Sequence, residues 1–143
     1  MNIFLSVFLF IVSSIAFAQN KVTWSTAFSI ESNEVIITAN IDDTWHLYAL
    51  ELSTEDGPIP TEFQFEANEN VELIGALVQP SPKISFDENF GSDLEYFEGE
   101  VTFRQQVKLI NSTKLVGSVY YMVCDDHTCL PPIEVPFTVE LNN

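Results

Sequence analysis

Apolar and polar side chains alternate along most of this chain, and few folds accept that pattern. Val22, Trp24, Thr26, Phe28 and Ile30 share one parity, with Thr23, Ser25 and Ser29 on the other. Alternate side chains of an extended chain point to opposite faces, so the run reads as a half-buried strand. Val35, Ile37, Ala39 and Ile41 repeat the pattern, and Trp45 to Leu50 reads as a third strand rich in aromatic rings. Phe63 and Phe65 mark a fourth strand, and Val71 and Leu73 begin a fifth. Further sets follow at Val101, Phe103, Val107 and Leu109, at Val119, Tyr121 and Val123, and at Val135, Phe137, Val139 and Leu141. Asp56-Gly57-Pro58 and Gln79-Pro80-Ser81-Pro82 supply turn chemistry between them. No segment carries a sustained i, i+3, i+4, i+7 stripe. Eight or so short strands at this spacing predict an all-β domain, an immunoglobulin-like β-sandwich, with a closed barrel as the alternative. Hydrophobic residues make up 46% of the chain, enough for a real core.

Phe86 to Glu100 breaks the alternation. It mixes Phe86, Phe90, Tyr96 and Phe97 with acids and two glycines. It reads as a long loop, one whose aromatic rings pack on something.

The first 18 residues differ from the rest. They carry no charged side chain and end in Ala16-Phe17-Ala18, a small-x-small cleavage pattern. A secretory signal peptide over 1–18 is expected, with a single domain from Gln19 to Asn143. The apolar run from Ile3 to Ala18 is shorter than the roughly 20 residues a membrane-spanning helix needs. No membrane insertion is therefore expected after cleavage, and the domain should sit in the periplasm or outside the cell, where disulfides form. Its net charge of -16 repels phosphate backbones and anionic lipid, which excludes nucleic acid as a partner.

The chemistry lies in Cys124-Asp125-Asp126-His127-Thr128-Cys129-Leu130-Pro131-Pro132. Three readings compete. A structural disulfide closing so small a loop would contribute only about 2 kcal/mol. A metal site could use Cys124, His127 and Cys129 with Asp125 or His46, but the spacing matches no common finger. A redox-active pair is the third, since exposed bridges are the labile ones. Spacing alone leaves the redox and structural readings level and the metal third. Asp125 and Asp126 disfavour a thiolate at either cysteine, and a protonated His127 would partly offset them. That favours a carrier exchanging with a docked partner over a powerful oxidant.

The segment Y-M-V-C-D-D-H-T-C-L-P-P, with W-H-L-Y, D-G-P-I-P-T and D-E-N-F-G upstream, resembles the N-terminal periplasmic domain of the thiol:disulfide interchange protein DsbD. The most specific part is the C-x-x-x-x-C-x-P-P ending. The resemblance implies an immunoglobulin-like sandwich with the activity of a protein-disulfide reductase or interchange component, and no cofactor or metal. It makes Cys124 and Cys129 the redox pair and Cys129 the site of the mixed disulfide. A thioredoxin-like donor domain, fed by a membrane thiol reductase, would supply reducing equivalents, and periplasmic thiol-disulfide proteins would receive them. Asp87 to Gly91 matches a loop that caps the pair. Phe90 is the expected shielding ring, with Phe86 the alternative, and Tyr48, Asp87, Glu88 and His127 are expected to line the site. The better-known members carry one more residue between their cysteines. They also continue into membrane and thioredoxin-like domains, so the donor here is expected to be a separate protein. The rival from another class is a non-catalytic immunoglobulin-like binding module with a structural disulfide.

Overall fold

The computed structural model describes residues 20–143, and the expected signal peptide at 1–18 lies outside the described residues. Among the described residues, eleven strands run β1 Val22–Ser29, β2 Glu34–Ile41, β3 His46–Tyr48, β4 Glu62–Phe65, β5 Val71–Val78, β6 Lys83–Asp87, β7 Ser92–Phe97, β8 Glu100–Leu109, β9 Thr113–Tyr121, β10 Val123–Cys124 and β11 Ile133–Leu141. They form three antiparallel sheets, ordered β1-β2-β8-β5, β10-β3-β7-β6 and β11-β9-β4. The sheets pack as an immunoglobulin-like sandwich, as the alternation predicts.

The core follows strand parity. Val35, Ile37, Ala39 and Ile41 of β2 and Val101, Phe103 and Val107 of β8 are buried from the first sheet. Leu115, Val119, Tyr121, Val139 and Leu141 meet them from the third, and Leu47, Phe97 and Val123 from the second. Trp24, Phe63 and Phe103 form an aromatic centre, with Phe63 and Phe103 centroids 5.0 Å apart. Ile30 shares the inward parity of β1 but lies beyond its end, in the turn to β2, and is exposed.

Two residues break the apolar parity for local reasons. Gln105 is buried in β8, and its amide donates to the carbonyls of Ile74 and Gly75, where the β5 pairing loses register. The side chain satisfies backbone that the bulge leaves unpaired. Gly117 of β9 sits under Phe137, and a Cβ there would come within 2.5 Å of the Gln64 carbonyl oxygen and 2.7 Å of the Phe137 ring. Only glycine lets β4 and that ring approach so closely.

The stretch expected to be a long loop is mostly strand. Phe86 to Glu100 contains the end of β6, a tight turn and all of β7. The alternation is hidden because neither face of this hairpin is apolar along its whole length. One face meets the main core only at Phe97, and the other is apolar only at Leu94 and Tyr96. Acids fill the exposed positions between them.

The chain also changes sheet at Met122. β9 pairs with β11 and β4, whereas β10 pairs with β3. Val123 keeps its side chain in the core across the switch, so Cys124 turns to the far face of the second sheet.

Candidate functional site

The site stands on that far face, and pairing identifies its members one by one. Leu47 is the partner of both Phe97 and Val123, and all three point into the main core. The residues one step along, His46, Tyr48, Tyr96 and Cys124, therefore share the opposite face. Leu94 and Ser92 extend it along β7, facing Ser85 and Asp87 of β6. Tyr48, Leu94 and Cys124 are fully buried there as a small second core, on which Phe90, Tyr96, Met122 and Cys129 pack.

Cys124 and Cys129 are joined in a disulfide with Cα atoms 4.0 Å apart. That is closer than the range of about 4.4–6.8 Å usual for bridged cysteines. The two residues face each other as an isolated antiparallel bridge. The loop between them is closed by its own backbone as well. The Asp125 N–H donates to the Thr128 carbonyl at 2.9 Å, and the Leu130 N–H to the Val123 carbonyl at 3.0 Å. Asp125 Oδ1 accepts the N–H groups of His127 and Thr128 at 2.9 and 2.7 Å. Those two donors, His127 first, hold the Asp125 carboxyl below the usual carboxylate range. Cys124 is inaccessible, whereas Cys129 is partly exposed.

A polar network lies beside the pair. The Tyr48 hydroxyl donates to Asp87 Oδ2 at 2.7 Å. His46 Nε2 lies 3.1 Å from the Tyr48 hydroxyl and 3.2 Å from the same Asp87 oxygen. His46 and Asp87 are 12% and 6% exposed at their side chains, so this pair is well shielded from water. Burial pushes the Tyr48 phenol well above its ordinary value, and the bond to Asp87 and its charge push it further. The phenol stays protonated and remains a donor.

Asp87 also shapes the hairpin tip. Its Oδ1 accepts the N–H groups of Asn89 and Phe90 at 2.9 and 3.3 Å, and its carbonyl accepts the Gly91 N–H at 2.7 Å. Gly91 takes φ 69°, a left-handed conformation that a glycine adopts without strain. This turn directs the Phe90 ring back over the sheet, edge-on to Tyr48 with centroids 6.1 Å apart. Asn89 Nδ2 donates to the Asp125 carbonyl at 2.8 Å, which ties the tip to the cysteine loop.

The structure brings Tyr48, Asp87 and Phe90 together with the cysteines. Glu88 and His127 are exposed and line the mouth of a cleft of about 350 Å³ beside the bridge, with Asp125, Asp126 and His46. Phe86 lines the same cleft but does not pack with the cysteines. It has the opposite parity, pairs with Asp93 and is 62% exposed. His46, Asn89 and Leu94 belong to the site but were not singled out for this role from the sequence. The signal for His46 was its i, i+2 relation to Tyr48 within one strand, which puts both rings on one face. Asn89 lies within the Asp87–Gly91 segment expected to form the cap, and nothing local marks Leu94.

A model of the family described as "Thiol:disulfide interchange protein DsbD, N-terminal" matches residues 16–141. A search of curated proteins finds no significant match. Among solved structures, the reduced DsbD N-terminal domain of Neisseria meningitidis superimposes with a TM-score of 0.63 at 15% identity, covering 86% of this chain and 87% of that one. The same organism's complex of the DsbD and PilB N-terminal domains gives 0.62 at 12% identity, covering 88% of each chain. The N-terminal periplasmic domain of ScsB from Proteus mirabilis gives 0.55 at 18% identity, covering 83% of this chain and 44% of that one.

Proposed function

The chain belongs to the family of the N-terminal domain of the thiol:disulfide interchange protein DsbD, and on that premise we propose that it is a periplasmic exchange domain relaying reducing equivalents through Cys124 and Cys129. The observation that carries this is the placement of the bridge. It joins residues of one tight loop that the backbone already closes, at the edge of the fold, with one sulfur buried and the other partly exposed. A staple would do more by joining distant strands.

The mechanism follows from that asymmetry. A partner thiolate attacks Cys129, the more accessible sulfur. The Cys124–Cys129 bond breaks, a mixed disulfide forms, and Cys124 leaves as a thiolate. A second thiol of the partner then attacks the mixed disulfide, which releases the reduced domain and an oxidised partner. The reverse sequence reduces a partner disulfide. In this reading Phe90 is the cap that keeps small thiols from the pair, and a docked partner displaces it. Tyr48 and Asp87 hold the cap's base, while Glu88 and His127 stand at the rim where the partner arrives.

A thioredoxin-like donor, fed by a membrane thiol reductase, and periplasmic thiol-disulfide proteins are the partners this reading assigns. The solved complex between the DsbD and PilB N-terminal domains supports a protein partner for this kind of domain. A periplasmic location and removal of residues 1–18 as a signal peptide belong to the same reading.

The test is a redox titration. The protein is equilibrated in dithiothreitol or glutathione buffers of graded potential and its free thiols are counted. The expected result is a bridge that reduces within the physiological range. A bridge that stays oxidised well below about -300 mV is a structural one and overturns the proposal.

A further inference from the structure

A proton has to move in the exchange proposed above, and the structure shows what is free to move it. In the direction that reduces a partner, the domain begins as a dithiol. The Cys129 thiolate attacks a protein disulfide, forming a mixed disulfide and releasing one partner sulfur as a thiolate. Cys124 must then lose its proton before it can attack Cys129 Sγ. That attack forms the Cys124–Cys129 bond and expels the second partner thiolate. The dithiol loses two electrons, and the partner disulfide gains them. Cys124 is inaccessible, so bulk water is a poor acceptor for its proton.

We propose that His46 takes the proton from the Cys124 thiol in this step, and returns it in the reverse step; the inference rests on the exchange reading. His46 is the strand partner of Cys124 across the β3–β10 pair, with both side chains on the site face. Residues directly opposite in an antiparallel pair hold their Cβ atoms about 5 Å apart. The ring is packed between Tyr48 and Tyr96, at centroid distances of 5.2 and 5.3 Å.

The hydrogen bonds determine which ring nitrogen is basic. Tyr48 donates its only hydroxyl hydrogen to Asp87 Oδ2. The Tyr48 oxygen and Asp87 Oδ2 are therefore both acceptors toward His46 Nε2, so Nε2 carries the hydrogen. The lone pair is left on Nδ1. A proton gained there makes an imidazolium with the buried Asp87 carboxylate against its other side, the arrangement that orients and stabilises a histidine base.

The neighbours are less suited. Both Asp87 oxygens are engaged, Oδ1 by two N–H groups and Oδ2 by Tyr48 and His46. Tyr48 is held protonated by its burial. Asp125 Oδ1 is committed to two backbone N–H groups, and those keep the carboxyl ionised. The groups facing His46 are Tyr48 on its own strand, Asp87 on β6, Tyr96 on β7 and Asp125 after β10. Glu88, Glu98, Asp126 and His127 line the cleft in front of it, and Lys83 is paired with Glu98.

The experiment uses oxidised glutathione as the disulfide. The reduced domain is mixed with it, quenched in acid, and the glutathione adduct is followed by mass spectrometry from pH 5 to 9. In His46→Gln and His46→Ala the adduct should persist about tenfold longer than in wild type at pH 7. The gap should narrow toward pH 9, where hydroxide competes as the acceptor of the thiol proton. Added imidazole should shorten the adduct lifetime in His46→Ala, which has room for it, and not in His46→Gln. Equal adduct lifetimes and parallel pH profiles in all three proteins overturn the role of His46 while leaving exchange intact. If His46→Ala does not fold, the His46→Gln profile decides alone. A reduced pair that forms no adduct and no disulfide at any pH, even when Phe90→Ala removes the cap, overturns the exchange reading and this inference with it.

Discussion

Replacing Phe90 with alanine should speed the reaction of the cysteine pair with small reagents by up to about tenfold. The ring is half-buried, edge-on to Tyr48 at 6.1 Å, and packs on the cluster that contains Cys124. Full burial of a phenylalanine is worth about 1.5–3 kcal/mol, so a half-buried ring contributes at most about 1.5 kcal/mol to holding the tip closed. Each 1.4 kcal/mol is about a factor of ten in an opening equilibrium. The rest of the tip should survive the change, because Asp87 and Asn89 hold it through backbone and carbonyl bonds that do not involve the ring. The assay is the rate of reduction by dithiothreitol of the oxidised domain, and of alkylation by iodoacetamide of the reduced one. Global stability from urea unfolding should fall by no more than about 1.5 kcal/mol. Phe86→Ala should leave both rates unchanged, since that ring is 62% exposed on the other face of β6. Equal reactivity in wild type and both variants would refute the shielding argument, even if the pair proves redox-active.

Replacing both Cys124 and Cys129 with alanine should leave the far-UV spectrum intact and cost about 2 kcal/mol or less in urea, because the closed loop is short and its backbone bonds remain; failure to fold would make the bridge structural. Tyr48→Phe should change the alkaline limb of the stability curve. The phenol is raised in the folded state, so its contribution is complete below the ordinary phenol value near 10 and is lost as pH climbs above it. Unfolding free energy of the wild type should therefore decline above about pH 10, and the variant should decline less steeply; identical slopes would contradict the burial argument. Gly117→Ala should destabilise by about 1–3 kcal/mol, because its Cβ would lie 2.5 Å from the Gln64 carbonyl oxygen. An unchanged urea midpoint would show that β4 shifts at no cost.

The sandwich was legible in the sequence because its long strands each bury one whole face. On β2, β8 and β9 the inward residues recur every second position, and period two survives any detail of the partners. The cysteine pair was equally visible, since its chemistry is carried by residue type and spacing along one short loop. Tyr48, Asp87 and Phe90 came into view through short motifs that resemble a known family. Beyond that the local signal weakens. The β6–β7 hairpin escaped because its two faces touch apolar surface at one end only, so its acids and rings look irregular when read in line. The parity that separates Phe90 from Phe86 depends on where the turn falls, and Asp87 fixes that turn through bonds to the backbone of Asn89 and Phe90. Which residues stand beside the disulfide is a matter of long-range pairing. β10 leaves one sheet at Met122 and pairs with β3 in another, bringing His46 opposite Cys124 from 78 positions away. Residue patterns along a chain record which side chains avoid water. Contacts between distant strands depend on how the buried faces fit together, and that fit exists only in the packed sheets.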